Sequence, residues 1–509
     1  MSAASPVAIS LPGRDPRLMR ACFRPSTNDL SGRIVRGATW VGSMIVFRAV
    51  ATVGATVVLA RLLTPADYGY VAMATVVTEL AAVFCAFNVP AIIIQAPRIT
   101  RLDLDSGFWF SAVLAAIVAA VIVAGSASFA DAFGEPRLTP ILWAMSTVLL
   151  FDELSAVHQA IAFRILLFKF DVISQLGGMI VRIACSVCLA LSGFGVWSLV
   201  LGSIAGRAAQ CLVIWYLIPY VPRFRFRRRF LMRNWRAGGS YFGSAATAFG
   251  MSNVDTAVTG RIFGATQLGY YQTAFALPEE LRNRVVFALQ RVLFPAYALL
   301  QTDNSAFRQG VLKSLGLVGA ITMPMGIGMV VLASPIVRTL YGEQWLPVIP
   351  LLQIVAIVGV VRAMHTLLGN IYKAKGRPDL DFKIGLAFAP LLLIGLFVGS
   401  HYGIVGVAIA VLVFNVLLLA SNYLALRLID VAAIDALASV VPATAAALVM
   451  GAGLLALDMA RVMPRLPPLV ELMLNAAIGS LLFIAALYLI SPSMVRDLWT
   501  MRKFLRVRN

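Results

Sequence analysis

Charge is scarce in this chain. Only 13% of its 509 residues are Asp, Glu, Lys or Arg, about half the share of a water-soluble domain, which excludes an ordinary soluble globule. Acids are scarcer than bases: 23 Asp and Glu stand against 42 Lys and Arg, a formal net charge of +19. Histidine occurs three times, as His158, His365 and His401, too scattered to hold a metal. Of the five cysteines, Cys185 and Cys188 form a C-x-x-C inside an apolar run with no ligand residues beside it. Buried small hydrophobes are the expected reading there, not a redox or metal pair. No phosphate-cradling G-x-x-x-x-G-K-[ST] motif is present, which argues against ATP drive within this chain, and no cofactor is expected. The first 36 residues are polar and basic and lack the apolar core of a signal peptide; a loose cytoplasmic tail is expected.

What the chain has instead is oil. Hydrophobic residues make up 60% of it, and the mean hydropathy is +0.87. Apolar runs of about 20 residues, enough to cross a bilayer core as helix, start near residues 38, 68, 107, 138, 171, 195, 237, 267, 310, 347, 382, 403, 432 and 468. The gaps between them are short and polar without alternation, which excludes a β-barrel. The expected fold is therefore an all-α integral membrane protein of about 14 transmembrane helices. With the N-terminus inside, alternate loops and both tails hold 29 Lys and Arg, seven of them arginines between Arg223 and Arg236. The opposite loops hold six: Arg61, Arg137, Arg261, Arg338, Arg461 and Arg465. That bias places both termini in the cytoplasm and accounts for the net charge without nucleic acid. The run RFRFRRRF (223–230) reads as a topology anchor and linker, with anionic lipid heads as its other reading.

The chain also repeats itself. ARLLTPADYGY (60–70) returns as GRIFGATQLGYY (260–271), FGE (133–135) as YGE (341–343), Phe168-Lys169 as Phe382-Lys383, and Gly195-Val196 as Gly406-Val407. RGATWVGS (36–43) and RAGGSYFGS (236–244) open the two copies. Six spans per copy give both copies the same orientation, a parallel repeat with the substrate site expected between the halves near mid-membrane. The expected organisation is a basic tail (1–36), an N-lobe (37–220), a basic linker (221–236), a C-lobe (237–430), two further helices (431–491) and a cytoplasmic tail (492–509). The repeated polar turn is the outer hairpin between the first two helices of each copy.

Seven arginines fall inside apolar spans: Arg48, Arg182, Arg207, Arg282, Arg284, Arg291 and Arg362. At ~2.5–3.5 kcal/mol each, their insertion approaches about 20 kcal/mol, which demands ion partners or a water-filled cavity. The acids inside spans are Glu79, Asp152, Glu153, Asp255, Glu279 and Glu280. At 1.5 Å per residue, Arg48, Glu79, Glu279, Glu280 and Arg282 lie about half way across. Glu79 and Glu279 occupy matching places in the two copies. Arg182 and Arg207 are expected to pair with Asp152 and Glu153, and Glu279–Arg282 and Glu280–Arg284 at i,i+3 and i,i+4. Arg291 and Arg362 are expected to snorkel toward the cytoplasmic surface. Arg48 has no acid in its own helix, which leaves two readings open: a substrate-facing cation, or a partner of Glu79.

ARLLTPADYGYVAMA (60–74), AIIIQAPRITRLDLDSGFWFS (91–111), LSGFGVWSLV (191–200), SNVDTAVTGRIFGATQLGYYQTAFAL (252–277) and VLFPAYALLQTD (292–303) resemble the polysaccharide-transport family. These are the Wzx-type flippases of the multidrug, oligosaccharidyl-lipid and polysaccharide exporter superfamily. The resemblance spans roughly residues 35–430. It implies two six-helix lobes in a V around a cavity lined by helices 1, 2, 7 and 8, and alternating-access translocation of a polyprenyl-diphosphate-linked oligosaccharide. The implied partners are that substrate, membrane lipid, and a polysaccharide polymerase with its chain-length machinery; nucleic acid is not among them. Arg48, Glu79, Asn253, Glu279, Glu280, Arg282 and Arg284 are then the cavity candidates, with Asp255, Glu79 and Glu279 as ion-coupling candidates. Arg182 and Arg207, on helices 5 and 6, are expected to lie away from the cavity. A drug exporter of the same superfamily would need net acid in that cavity; a lipid II flippase shares the chemistry. A membrane polymerase or glycosyltransferase is the rival of a different class, and the repeat and short loops stand against it.

Overall fold

Backbone polar groups have no partners in hydrocarbon, so a membrane-crossing chain must satisfy them within helices or a closed barrel. The computed structural model describes residue 48 and residues 51–300, 304–375, 377–460 and 467–496, and among them there is no strand. The helices are α1 (Ala51–Leu62), α2 (Pro65–Cys85), α3 (Val89–Gln95), α4 (Arg101–Phe133), α5 (Leu138–Arg164), α6 (Phe168–Leu191), α7 (Val196–Leu217) and α8 (Arg228–Leu300). There follow α9 (Asn304–Val331), α10 (Ala333–Leu340), α11 (Val348–Ala374), α12 (Pro378–Ser400), α13 (Gly403–Ser421), α14 (Tyr423–Arg427), α15 (Ala433–Met459) and α16 (Pro468–Ile490).

Eleven helical segments among the described residues are long and apolar enough to span a membrane. The shortfall against fourteen has local causes. The first expected span is described continuously only as α1, which is short. The seventh and eighth both fall within the 73-residue α8, broken at Gly264 with φ 73° and ψ −178°. A non-glycine residue would be strained in that conformation.

Local chemistry sets the helix starts. At α2, Thr64 and Asp67 cap each other: the Asp67 carboxylate accepts from Thr64 N at 2.9 Å and Thr64 Oγ1 at 2.8 Å, with Pro65 at the first helical position. Thr100 and Asp103 form the same box at α4. Gly134 ends α4 with φ 72°, and Gly342, its expected repeat counterpart, also has positive φ, at 100°. Gly406 departs from its expected place. It lies inside α13 against Gly399 of α12, and the residue that turns the chain is Gly403, with φ 76°.

The chain divides into two compact units: residues up to Leu63 with Met73–Phe249, and Thr64–Ala72 with Gly250 onward. In the first unit α6 and α7 form a close hairpin, because Gly178 and Gly206 bring the two backbones together. The first unit also takes in the whole basic linker and the start of α8, further than the expected lobe end at 220. The linker backbone is strapped to the first turns of α4. Asp105 Oδ1 accepts from Tyr220 Oη at 2.7 Å and Arg223 N at 3.2 Å. Arg227 N donates to Ser106 Oγ at 2.9 Å, and Trp109 Nε1 donates to the Arg223 carbonyl at 2.9 Å. The LDLDSGFWF stretch thus holds a loop whose own arginines, Arg223, Arg225, Arg227, Arg228 and Arg229, remain exposed.

In the second unit α9 packs on α15 and α11, α12 on α13, and α15 on α16. Its Thr64–Ala72 segment carries the first copy of the repeated turn, which meets the second. A methyl on Gly69 would collide with the Ala265 carbonyl, and one on Gly269 with the Pro65 carbonyl. The two copies of the turn therefore clasp each other reciprocally, each glycine admitting the other's backbone. Trp345, wholly buried, closes the clasp, edge-on to Tyr68 at 5.2 Å and to Tyr270 at 6.1 Å. Burial pushes the neighbouring Tyr341 phenol up to about 12, so it stays protonated at neutral pH.

Gly69→Val and Gly269→Val are each expected to cost about 1–3 kcal/mol through overpacking, read as a lower melting temperature in detergent. Gly239, in α8 with open space at its Cβ position, is the control: Gly239→Ala is expected to melt at or above the wild-type temperature.

Candidate functional site

Ionisable side chains at mid-span mark function by default, because nothing in hydrocarbon rewards them. In the second unit Asp255, Glu279, Arg282 and Arg362 belong to one connected network. Asp255 is buried on α8, and its carboxylate accepts from Tyr271 Oη at 2.7 Å and from Thr256 N at 2.9 Å. The Tyr271 ring lies 4.7 Å from Phe275, and the Arg362 guanidinium lies over the Phe275 ring at 5.7 Å. Arg362 Nη1 is 3.9 Å from Glu279 Oε2, and its Nε donates to Asn415 Oδ1 at 3.1 Å. Arg282 Nε donates to the same Glu279 oxygen at 3.0 Å, and its Nη2 to Asn283 Oδ1 at 2.8 Å. Two guanidinium groups thus share one carboxylate. A cavity of about 20 Å³, lined by Arg282, Pro278, Thr322 and Gly326 among others, leaves room for about one water molecule beside Arg282.

The first unit carries the other mid-span charges. Arg207 Nη1 pairs with Asp152 Oδ1 at 3.3 Å. Arg48 and Glu79 are both exposed, and Glu79 is engaged in interactions of its own. The pairing expected of Arg182 with Asp152 or Glu153 does not form: among the described residues Arg182 has no carboxylate partner.

Of the sequence candidates, the structure joins Glu279 and Arg282 as expected, and places Asp255 in the same network through Tyr271. Asn253 and Glu280 are half-buried on α8. The side chains of Arg284 and Arg291 lie outside the described residues. Arg362 departs from its expected role. It turns inward to Glu279 and Asn415 instead of reaching for the surface, because a carboxylate on α8 and an amide on α13 are within its reach. Tyr271 and Asn415 were not among the candidates. Asn415 had a readable signal as a lone amide inside the apolar run of α13; Tyr271 stood beside the repeat's turn tyrosine with nothing to set it apart.

Glu279→Gln and Arg282→Gln are each expected to lower stability, the first more, because it leaves two guanidinium groups without their carboxylate. In a double-mutant cycle the pair is expected to show a coupling of about 1–3 kcal/mol, measured by thermal unfolding in detergent. Additive effects would mean that the observed ion pair contributes nothing.

Known proteins share this architecture. The chain resembles the lipid II flippase MurJ in its inward closed conformation, with a TM-score of 0.75 at 15% identity, over 91% of this chain and 100% of that one. An inward-facing multidrug resistance MATE transporter of the MOP superfamily matches at a TM-score of 0.57 and 14% identity, over 75% of this chain and 94% of that one. These likenesses establish the fold. In sequence the chain is 26% identical over 395 residues to the lipopolysaccharide biosynthesis protein WzxC of Escherichia coli, covering 76% of this chain and 80% of that protein. It is 27% identical over 301 residues to the succinoglycan biosynthesis transport protein ExoT of Rhizobium meliloti, covering 59% and 61%. Residues 58–350, more than half of the chain, match the family model described as polysaccharide biosynthesis protein, and the chain belongs to that family.

Proposed function

We propose that this protein is a flippase that carries polyprenyl-diphosphate-linked oligosaccharide units across the bacterial inner membrane for the synthesis of a surface polysaccharide. The observation that carries this reading is the set of mid-span arginines in a member of the polysaccharide biosynthesis family. A sugar-bearing diphosphate cannot cross hydrocarbon with its charge and hydroxyls unpaired. Arginine forks suit phosphate oxygens, while the prenyl tail can remain in lipid. The relatives' names, lipopolysaccharide biosynthesis and succinoglycan biosynthesis transport, support the substrate class. The arginine bias of alternate loops supports cytoplasmic termini.

Arg48, Glu79, Asn253, Glu279, Glu280, Arg282 and Arg284 are the proposed cavity residues, and Arg362 joins them through Glu279. Asp255 is the first candidate for carrying a coupling cation, followed by Glu79 and Glu279, because carboxylates inside membranes commonly serve such relays. A drug antiporter of the same superfamily is disfavoured because it would need net acid in its cavity, whereas here arginines match the acids. A lipid II flippase differs from this reading only in the saccharide.

The test is a strain lacking the gene, scored for the sidedness of the lipid-linked oligosaccharide pool. Complete precursor is expected to accumulate on the cytoplasmic face while surface polymer is lost. Wild-type protein restores both, and Arg48→Ala at normal protein level does not. An unchanged pool with normal polymer, in a strain with no second transporter of this family, would overturn the reading.

A further inference from the structure

The arginine-rich stretch that joins α7 to α8 is a strongly charged surface that the transport reading leaves without a task. Its backbone is tied down. Besides the bonds to Asp105, Ser106 and Trp109, the Val221 carbonyl accepts from Arg101 Nη2 at 3.3 Å. The Phe230 side chain is buried in the hydrophobic core of the first unit with Val89 and Phe108. Its guanidinium groups are not tied down. Arg223, Arg225, Arg227, Arg228 and Arg229 are all exposed, and among the described residues none of the five pairs with a carboxylate. Arg233, further into α8, does have an acid beside it, Asp103 at 3.7 Å.

The length of α4 sets the level of this loop. That helix has 33 residues, about 50 Å of helix, against a hydrocarbon core of about 30 Å. Its first turns, polar in RLDLDS (101–106), therefore project into the headgroup layer, and the linker bonded to them lies at that level. The Lys and Arg bias of the loops assigns this face to the cytoplasm. Apolar side chains are interleaved with the cations. Phe224 is 88% exposed and stacks on Trp109 at 4.3 Å, and Phe226, Met232 and Trp235 are exposed as well. Aromatic rings suit the boundary between headgroups and hydrocarbon; a soluble acidic partner would not require them there.

We propose that residues 221–235 form a docking surface for the headgroups of anionic phospholipids in the cytoplasmic leaflet. Each arginine held near such a leaflet adds a favourable increment, and guanidinium forks suit phosphate oxygens. Five of them on one fixed loop meet several headgroups together. Because the strap to α4 fixes the backbone beforehand, little ordering cost is left for binding. The strap thus does more than join two halves. It holds the arginines out toward lipid, while the nearest acids, Asp103 and Asp105, are buried beneath the loop and engaged by its backbone, Tyr220 and Arg233. None of the proposed cavity residues belongs to this surface, and it does not depend on the flippase reading.

The experiment uses the full-length protein in detergent, with binding of phosphatidylglycerol and phosphatidylcholine of the same acyl chains measured by native mass spectrometry. Wild type is expected to prefer phosphatidylglycerol at least tenfold, and the preference is expected to shrink as salt is raised. The triple variant Arg223→Gln, Arg225→Gln, Arg228→Gln is expected to lose phosphatidylglycerol affinity by about fivefold per arginine. Its phosphatidylcholine binding and melting temperature are expected to stay unchanged. Arg377→Gln, which removes a cation already paired with Asp379 at 3.1 Å, is expected to bind as wild type. A photoreactive phosphatidylglycerol applied to the wild type is expected to label residues 221–235, a result that stands even if the triple variant fails to insert. Absence of a preference in the wild type, wild-type affinity in the triple variant, or labelling confined to other segments would each overturn the surface. An equal loss in Arg377→Gln would overturn it too, because net charge alone would then govern binding. Loss of polyprenyl diphosphate binding in the triple variant, with phosphatidylglycerol unaffected, would give the arginines to the substrate and likewise remove the lipid surface.

Discussion

The cost of an unpaired charge in hydrocarbon is the constraint on which the rest of this protein depends. It makes the backbone helical throughout its spans, because a free carbonyl or amide is costly there. It also makes each mid-span arginine informative. Where an acid is within reach, as Glu279 is for Arg282 and Arg362, the charges form a shared network. Where the acids are already taken, as beside Arg182, the guanidinium has no carboxylate partner among the described residues. One rule thus yields a shared ion network in the second unit and the Arg207–Asp152 pair in the first.

Glycine performs the complementary task of bringing helices and turns close enough for those charges to be placed. Without a hydrophobic drive between helices in lipid, close approach of backbones supplies the packing. Gly178 and Gly206 join α6 to α7 and thereby seat Arg182 and Arg207 side by side. Gly69 and Gly269 do the same for the two repeated turns. Their reciprocity is what a parallel repeat predicts: each copy supplies one glycine and one carbonyl. The polar turn is repeated because the clasp needs both halves.

Most of the fold was legible in the amino-acid order. Apolar length marked the helices, and the starts of α5, α13 and α16 coincide with the ends of polar gaps at residues 138, 403 and 468. Capping pairs such as Thr100 with Asp103 lie three residues apart and are readable without a structure. The short helices α3, α10 and α14 were not legible, since five to eight residues carry too little periodicity to separate helix from turn. In the second unit Asp255, Glu279 and Arg282 were legible as charges where charge is costly. Arg362 was legible as a charge, but its contacts with Glu279 and Asn415 were not, because those partners are distant in sequence and only packing brings them together.

Composition, apolar run length and the repeated turns by themselves determined that the chain is a multi-span helical membrane protein built from two related halves, because those properties depend only on local hydrophobicity and spacing. Which charges meet was decided by the tertiary structure. Arg182 stands a comparable distance along the chain from the acids of α5 and from Arg207, and no sequence rule says that it keeps no acid for itself. That outcome follows from α6 lying flush against α7 at Gly206 while Asp152 is drawn to Arg207, a competition settled by distances of a few ångströms between helices.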